Sequence, residues 1–315
     1  MEKIEPRFAG RHLITLEDFT KEEIDYILKV SHQMKDAFYA NEPMPFLEGK
    51  TGFLMFFEQS TRTRNSFESG MAQLGGHATF LDTSMMQIAH GESAKDTAVI
   101  LSSFGHMIAC RYCNWGLGNK YIREMAKWST VPIINLQCDL YHPMQALADL
   151  MTIREYKGSF EGHTFCYIGD GNNMANSLIV GMLTVGMDVH IACPKGYEPA
   201  ADVLEFAKAY GDHFLLTTDP KVAAKGADVL YTDVWASMGQ EEEKAEREKV
   251  FAGIYQINDD IMAIANEGAM VMHCLPAHRE EEITAKVLEE HANEIFDEAE
   301  NRLHAQKAIM VKLMK

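Results

Sequence analysis

Phe56-Phe57-Glu58-Gln59-Ser60-Thr61-Arg62-Thr63-Arg64 joins an apolar run to a segment with helical spacing. The run, 52–57, reads as a buried strand. Beyond it Phe67, Met71 and Leu74 recur at steps of four and three, the spacing of one helix face. Residues 60–64 therefore fall where a strand hands over to the first turn of a helix. Free backbone N–H groups and the positive end of the helix dipole make such a place a ready anion site. Arg62 and Arg64 add planar, permanently charged forks suited to phosphate oxygens. A capped helix with two surface arginines is the plain alternative, but hydroxyl- or guanidinium-bearing residues at all five positions outweigh it. The expected ligand is phosphate or a phosphate-like anion.

Outward from this stretch, strand and helix patterns alternate. Strands are expected over 78–81, 107–110 and 131–135, and helices over 65–74, 93–104 and 120–127; an amphipathic helix, 21–40, precedes them all. Pro143 suits a first helical position and opens a strong helix, 144–156. After a pause at Lys157-Gly158-Ser159 the alternation restarts. Strands are expected over 164–168, 188–192, 214–217, 229–232 and 269–273, and helices over 175–185, 200–210 and 259–265. The stretch 240–249 is acidic and poorly patterned and reads as a loop. A closing helix, 301–315, could run back to the first half. The expected fold class is α/β: two doubly wound parallel-sheet domains with the active site in the cleft between them. The first domain takes 1–145, with the helix 300–315 packing back onto it, and the second takes 146–299.

Composition narrows the function classes. The chain's 315 residues suit two domains, and 47% hydrophobic content supports a large core rather than disorder. A net charge of −17 argues against general nucleic-acid binding and against anionic membrane surfaces. It would also repel an anionic substrate, so any phosphate site must draw on a local basic pocket. Six irregularly spaced cysteines, and no secretory leader at Met1-Glu2-Lys3, suggest a reduced, cytoplasmic protein. Cys110 and Cys113 have redox spacing, but with no second pair they read as structural, and no metal is expected.

In doubly wound sheets ligands sit at the carboxyl ends of the strands, so residues just after expected strands are the candidates. Arg111 closes one strand. His142-Pro143-Met144-Gln145 opens a helix, where a positive dipole disfavours protonation of the imidazole. Gly169-Asp170-Gly171-Asn172-Asn173 resembles a dinucleotide loop only loosely, because Met174 stands where the third glycine belongs. A nicotinamide cofactor is therefore not expected, and the paired asparagines suit a polar substrate. Asp233, after another strand, could hold an ammonium group. Cys274, in His273-Cys274-Leu275-Pro276, ends the last strand.

Taken in order, these elements resemble the aspartate/ornithine transcarbamoylase family. The matching pieces are Ser60-Thr61-Arg62-Thr63-Arg64, Gln87-Ile88-Ala89-His90-Gly91-Glu92-Ser93, His142-Pro143-Met144-Gln145 and Gly169-Asp170-Gly171-Asn172-Asn173. They continue with Asp233-Val234-Trp235-Ala236-Ser237-Met238-Gly239, His273-Cys274-Leu275-Pro276-Ala277-His278-Arg279 and Glu300-Asn301-Arg302-Leu303-His304. Together they cover nearly the whole chain.

The resemblance implies that carbamoyl phosphate is held by Ser60, Thr61, Arg62 and Thr63, with Arg111, His142, Gln145 and Arg302 completing its pocket and Cys274 and Leu275 lining the reacting centre. It implies that Gln87 reaches that pocket across a subunit boundary, in a homotrimer or a multiple of trimers with shared active sites. Asp233 with Ser237 and Met238 marks the ornithine branch, in which these residues and Asn173 hold the amino acid. The implied reaction moves the carbamoyl group to the δ-amine of L-ornithine, giving citrulline and phosphate, with Arg111, His142 and Cys274 in catalytic roles. No metal or other cofactor, nucleic acid or membrane is involved. Two departures stand out. Glu58 occupies a position where many ornithine enzymes carry lysine, and 113–118 looks atypical. Putrescine is the nearest alternative acceptor and aspartate a more distant one. A nicotinamide-dependent oxidoreductase and a non-catalytic amino-acid sensor on the same fold are the readings from other classes.

Overall fold

The handover at Ser60 exists, and it is sharper than the spacing of apolar residues suggests. β1 (Thr51–Phe56) is buried at all but its first residue. Ser60 then adopts an extended backbone and its side chain accepts from the Thr63 amide, the geometry of an N-cap. The helix therefore starts at Thr61, four residues before the expected 65, because the cap and not the apolar stripe sets its first turn.

The computed structural model describes residues 8–236 and 241–314. Two units emerge from it: Met1–Ala148 with Asn301–Lys315, and Asp149–Glu300. In the first unit α1 (Lys21–Tyr39) begins with a reciprocal capping box between Thr20 and Glu23. β1 then leads to α2 (Thr61–Gln73), β2 (His77–Asp82), α3 (Ala94–Phe104), β3 (Met107–Tyr112), α4 (Gly118–Trp128), β4 (Ile133–Cys138) and α5 (Pro143–Lys157). The four strands form a parallel sheet in the order β2-β1-β3-β4.

In the second unit the elements are β5 (Thr164–Ile168), α6 (Asn173–Val185), β6 (Asp188–Ala192), α7 (Ala201–Lys208), β7 (Phe214–Thr217), α8 (Pro220–Ala224), β8 (Val229–Thr232), α9 (Lys244–Phe251), α10 (Asp259–Met262), β9 (Met270–His273), α11 (Ala285–Glu290) and α12 (Ala292–Leu313). Its sheet is also parallel, ordered β7-β6-β5-β8-β9. The two-sheet, doubly wound α/β expectation is met. The division between the units falls inside α5 and inside α12.

Strand order decides where ligands can sit. In each sheet the winding reverses once, between β1 and β3 and between β5 and β8. At such a point the loops leaving neighbouring strands diverge and open a crevice at the carboxyl ends. Residues 57–60 leave β1 and 113–117 leave β3. Residues 169–172 leave β5 and Asp233 follows β8.

Three further expectations need correction. The stretch 240–249 is not all loop. Lys244–Phe251 is helical, held by two buried residues, Arg247 and Phe251. Ion pairs one turn apart, such as Lys249–Glu246 at 2.6 Å, cover the rest. So few apolar positions leave no periodic stripe to read. The last helix starts at Ala292 rather than 301, because its first turns bury only scattered residues such as Ile295 and Glu298. Finally, Arg111 lies inside β3 rather than just past the expected end at 110.

Candidate active site

α2 places Thr61, Arg62 and Thr63 in its first turn, where three amides lack helical partners. Thr63 is buried, and its Oγ1 accepts a 2.6 Å hydrogen bond from Arg302 Nη2. Because that oxygen already accepts, the hydroxyl proton is left to donate elsewhere. Arg302 comes from α12, in the part that belongs to the first unit. Arg111 is 3% exposed although it carries a full charge. A β-bulge re-aims it: pairing runs Cys110 to Asn135 and then Arg111 to Gln137, so β4 has one extra residue there. Its guanidinium donates to Gln137 Oε1.

His142 precedes α5, and its carbonyl accepts from the Gln145 and Ala146 amides. Burial pushes its imidazole pKa well below the ordinary range, and the charges of Arg302, Arg111 and Arg62 press it the same way. Three arginines thus share one neutral histidine as a neighbour. Gln145 is fully buried. Among the residues implicated by resemblance, the fold gathers Ser60, Thr61, Arg62, Thr63, Arg111, His142, Gln145 and Arg302 in one unit. Arg64 is engaged otherwise: its Nε donates to Glu68 at 2.9 Å and its guanidinium lies 3.5 Å from the Phe80 ring centroid. Gln87 sits exposed on a 3-10 turn, Gln87–His90, outside the buried set.

The depressed histidine has a testable consequence. Between its lowered native pKa and the ordinary value of ~6.5, the unfolded chain binds a proton that the native chain does not. Stability from this group is present above pH ~6.5 and is lost as pH falls below it. Thermal melts at pH 7.5 and 5.5 should therefore show a smaller acid loss for His142→Gln than for the wild type. Equal losses in the two proteins would refute the assignment.

The second unit collects a different chemistry. Asn172 caps α6: its Oδ1 accepts from the Met174 and Ala175 amides, at 2.9 and 3.2 Å. Its Nδ2 donates to Asp233 Oδ2 at 2.9 Å. Asp233 Oδ1 accepts from the Val234 amide at 2.8 Å and from the Cys274 thiol at 3.1 Å. Burial pushes the Cys274 thiol well up, and the neighbouring carboxylates Asp233 and Glu298 add to the effect. Cys274 is thus a neutral donor, not a thiolate. Leu275 has a positive φ of 58° and its bond to Pro276 is cis. Its amide donates to His273 Nδ1 at 2.9 Å, which leaves the ring proton on Nε2, 3.0 Å from Glu282 Oε1. Asn173 is buried beside the Asn172 cap. Ser237 and Met238 lie outside the described residues.

Several supporting residues had no sequence reading. Asn172, expected only as a contact to a polar substrate, could have been found as an N-cap, since asparagine between a strand and a helix favours that position. Gln137 and Arg247 carried no such signal. Arg247 reaches Asp170 Oδ2 at 2.7 Å and the Trp235 carbonyl at 3.0 Å, tying α9 to the loops after β5 and β8. Burial raises the Asp170 pKa to about 6 against the pull of that arginine.

Comparison with known proteins fits both halves. Residues 11–155 match the model of the carbamoyl-P binding domain of aspartate/ornithine carbamoyltransferase, and 161–313 that of its Asp/Orn binding domain. The chain is 47% identical over 310 residues to an ornithine carbamoyltransferase of Geobacter sulfurreducens, covering 97% of this chain and 99% of the relative. Against that of Methanosarcina mazei it is 46% identical over 305 residues, with the same coverage. The solved ornithine carbamoyltransferase of Pyrococcus furiosus superposes with a TM-score of 0.91 at 46% identity over 97% of each chain. That of Thermus thermophilus gives 0.85 at 34% identity, covering 98% of this chain and all of the other. Matches to both domain models, and to full-length relatives at this identity, leave one conclusion: the chain belongs to the aspartate/ornithine carbamoyltransferase family.

Proposed function

We propose that the protein transfers the carbamoyl group of carbamoyl phosphate to the δ-amine of L-ornithine, releasing citrulline and phosphate. The observation that carries this reading is a neutral, buried His142, just before α5, on which three arginines act: Arg62 in the first turn of α2, Arg111 in β3 and Arg302 in α12. In a chain of net charge −17, that local cluster is what attracts an acyl phosphate.

Arg62, Arg111, Arg302 and the first amides of α2 hold the phosphoryl group and stabilise it as it leaves. Neutral His142, Arg111 and the free hydroxyl proton of Thr63 donate to the carbonyl oxygen, which gains negative charge as the amine attacks. Gln145 completes this lining.

On the second unit Asp233 takes the α-ammonium group of ornithine, with Asn172 and Cys274 fixing the carboxylate's orientation. Asn173, Ser237 and Met238 hold the remainder of the amino acid, and Leu275 lines the reacting centre. The δ-amine must attack as the free base, although an alkylamine in water has a pKa of ~10.4. Desolvation in a cationic site lowers it. The new N–C bond forms, a tetrahedral intermediate collapses, the C–O bond to phosphate breaks, and the amine's proton leaves with phosphate or to water. Cys274 stays protonated throughout and tunes the Asp233 side of the site. Proximity of two bound substrates contributes much of the rate, about 7–11 kcal/mol in favourable systems.

The acceptor is ornithine rather than putrescine, since the relatives compared above are ornithine enzymes by name. The first unit holds carbamoyl phosphate and the second ornithine. The working assembly is a homotrimer or a multiple of it, in which Gln87 serves a neighbouring copy. Gln87 is exposed, and Val99, Ile100 and Phe104 of α3 leave an apolar face exposed nearby in sequence, an arrangement suited to a subunit contact. No helix among the described residues is long and apolar enough to cross a membrane.

The test is to incubate the protein with carbamoyl phosphate and ornithine, putrescine or aspartate, following ureido product and phosphate. Ornithine should be the preferred amine by at least about two orders of magnitude, as expected when missing charged groups leave buried partners unpaired. Phosphate release with none of the three would sink the enzymatic reading. On a sizing column the activity should elute at the trimer mass or a multiple.

A further inference from the structure

β1 leaves its sheet just before the anion site, and its last ladder bond runs from the Phe57 amide to the Arg111 carbonyl at 3.0 Å. The next rung of a parallel ladder would use the Cys113 amide as donor and the Phe57 carbonyl, just past β1, as acceptor. Here both Glu58 carboxylate oxygens take that amide instead, each at 3.1 Å. The Phe57 ring stacks on Tyr112 with centroids 3.9 Å apart, and Tyr121 packs edge-on to both rings.

The rest of the loop is pinned too. Asp139, just beyond β4, accepts from the Gly116 amide at 2.9 Å and from the Asn119 amide at 2.7 Å. α4 starts so close that a Cβ on Gly118 would lie 1.9 Å from the Tyr112 carbonyl oxygen. The loops after β1, β3 and β4 are therefore joined by side chains that are neither arginine nor histidine. Glu58 is the joint between the loop that leads into Ser60 and the strand end that carries Arg111. It is half-buried, its carboxylate pKa is raised by that burial, and the Cys113 amide and Arg111 oppose the rise.

We infer that Glu58 is a positioning residue for the carbamoyl phosphate site: its carboxylate stands in for a strand carbonyl and fixes the angle at which Arg111 meets the first turn of α2. The inference rests on the carbamoyl phosphate reading of that site. It accounts for an acidic residue beside an anion pocket, where charge alone would be unfavourable. The carboxylate is needed as a doubly accepting group, and its charge is offset by Arg111.

Glu58→Ala removes the acceptor, and Glu58→Gln keeps one oxygen in place. Glu58→Ala should raise KM for carbamoyl phosphate about tenfold, the effect of about one lost hydrogen bond, and leave KM for ornithine within about twofold. Amide exchange at Cys113 should quicken by about the same tenfold factor. Glu58→Gln should restore both to within about threefold. If Glu58→Ala does not fold, Glu58→Met fills the space without accepting and replaces it in the comparison.

Wild-type KM and Cys113 exchange in Glu58→Ala would overturn the inference. So would equal impairment in the alanine and glutamine variants, since charge rather than the hydrogen bond would then be at work. Arg62→Ala separates this failure from that of the site itself. A normally active Arg62→Ala would overturn the site reading, whereas an inactive one beside an unaffected Glu58→Ala would overturn only the role of Glu58.

Discussion

Arg62→Ala should lower turnover of carbamoyl phosphate and ornithine by roughly 10²–10³-fold, the usual effect of removing one preorganised charge-stabilising donor. The reason lies in how charge is shared. Arg62, Arg111 and Arg302 all depress the His142 imidazole, so each contributes to one positive potential in a water-poor pocket. A phosphoryl group gaining charge as it departs feels that potential most strongly. Removing Arg62 also relieves repulsion among the three arginines, so the fold should survive. A melting temperature within about 2–4 °C of wild type, corresponding to about 1 kcal/mol, is the expected control. Near-normal kcat in a folded Arg62→Ala protein would falsify the assignment of the anion site.

Asp233→Asn should act on the other substrate. The amide keeps an oxygen for Asn172 and nearly the same volume, but it removes the charge proposed above to take the α-ammonium group. Ornithine KM should rise by roughly 10–100-fold, the range for losing one charge-assisted hydrogen bond, while KM for carbamoyl phosphate stays within about twofold. Steady-state kinetics with each substrate varied in turn read this directly. A parallel rise in both KM values would show a general loss of structure and defeat the assignment of Asp233 to ornithine.

Much of this was legible from residues alone, for identifiable reasons. Strands such as 164–168, 188–192 and 229–232 are short, apolar and bounded by turn residues, so their limits could be read to the residue. Ser60 and Asn172 carry a cap signal, yet the expected helices start only at 65 and 175, because apolar spacing and not the caps sets those limits. α9 was not legible, since its stability comes from surface ion pairs and the Arg247–Asp170 contact rather than from a stripe. Gln137 could not be recognised either. Its role depends on a bulge that shifts β4 by one residue against β3, and register across strands leaves no trace within either strand's own pattern. Likewise Glu58 reads as a misplaced charge until the Cys113 amide is seen opposite it.

The hydrogen bond from Arg302 to Thr63 joins residues 239 positions apart. The unit that carries Thr63 is built from residues at both ends of the chain. During translation its sheet strands emerge first, followed by the whole of the second unit, and only then by Arg302 and the fully buried Lys307 and Lys312. A ribosome-bound chain that stops before Asn301 therefore has an unfinished first unit, without one of the three arginines that act on His142. The phosphate-donor site proposed there is complete only once residues 301–314 have joined a sheet made much earlier.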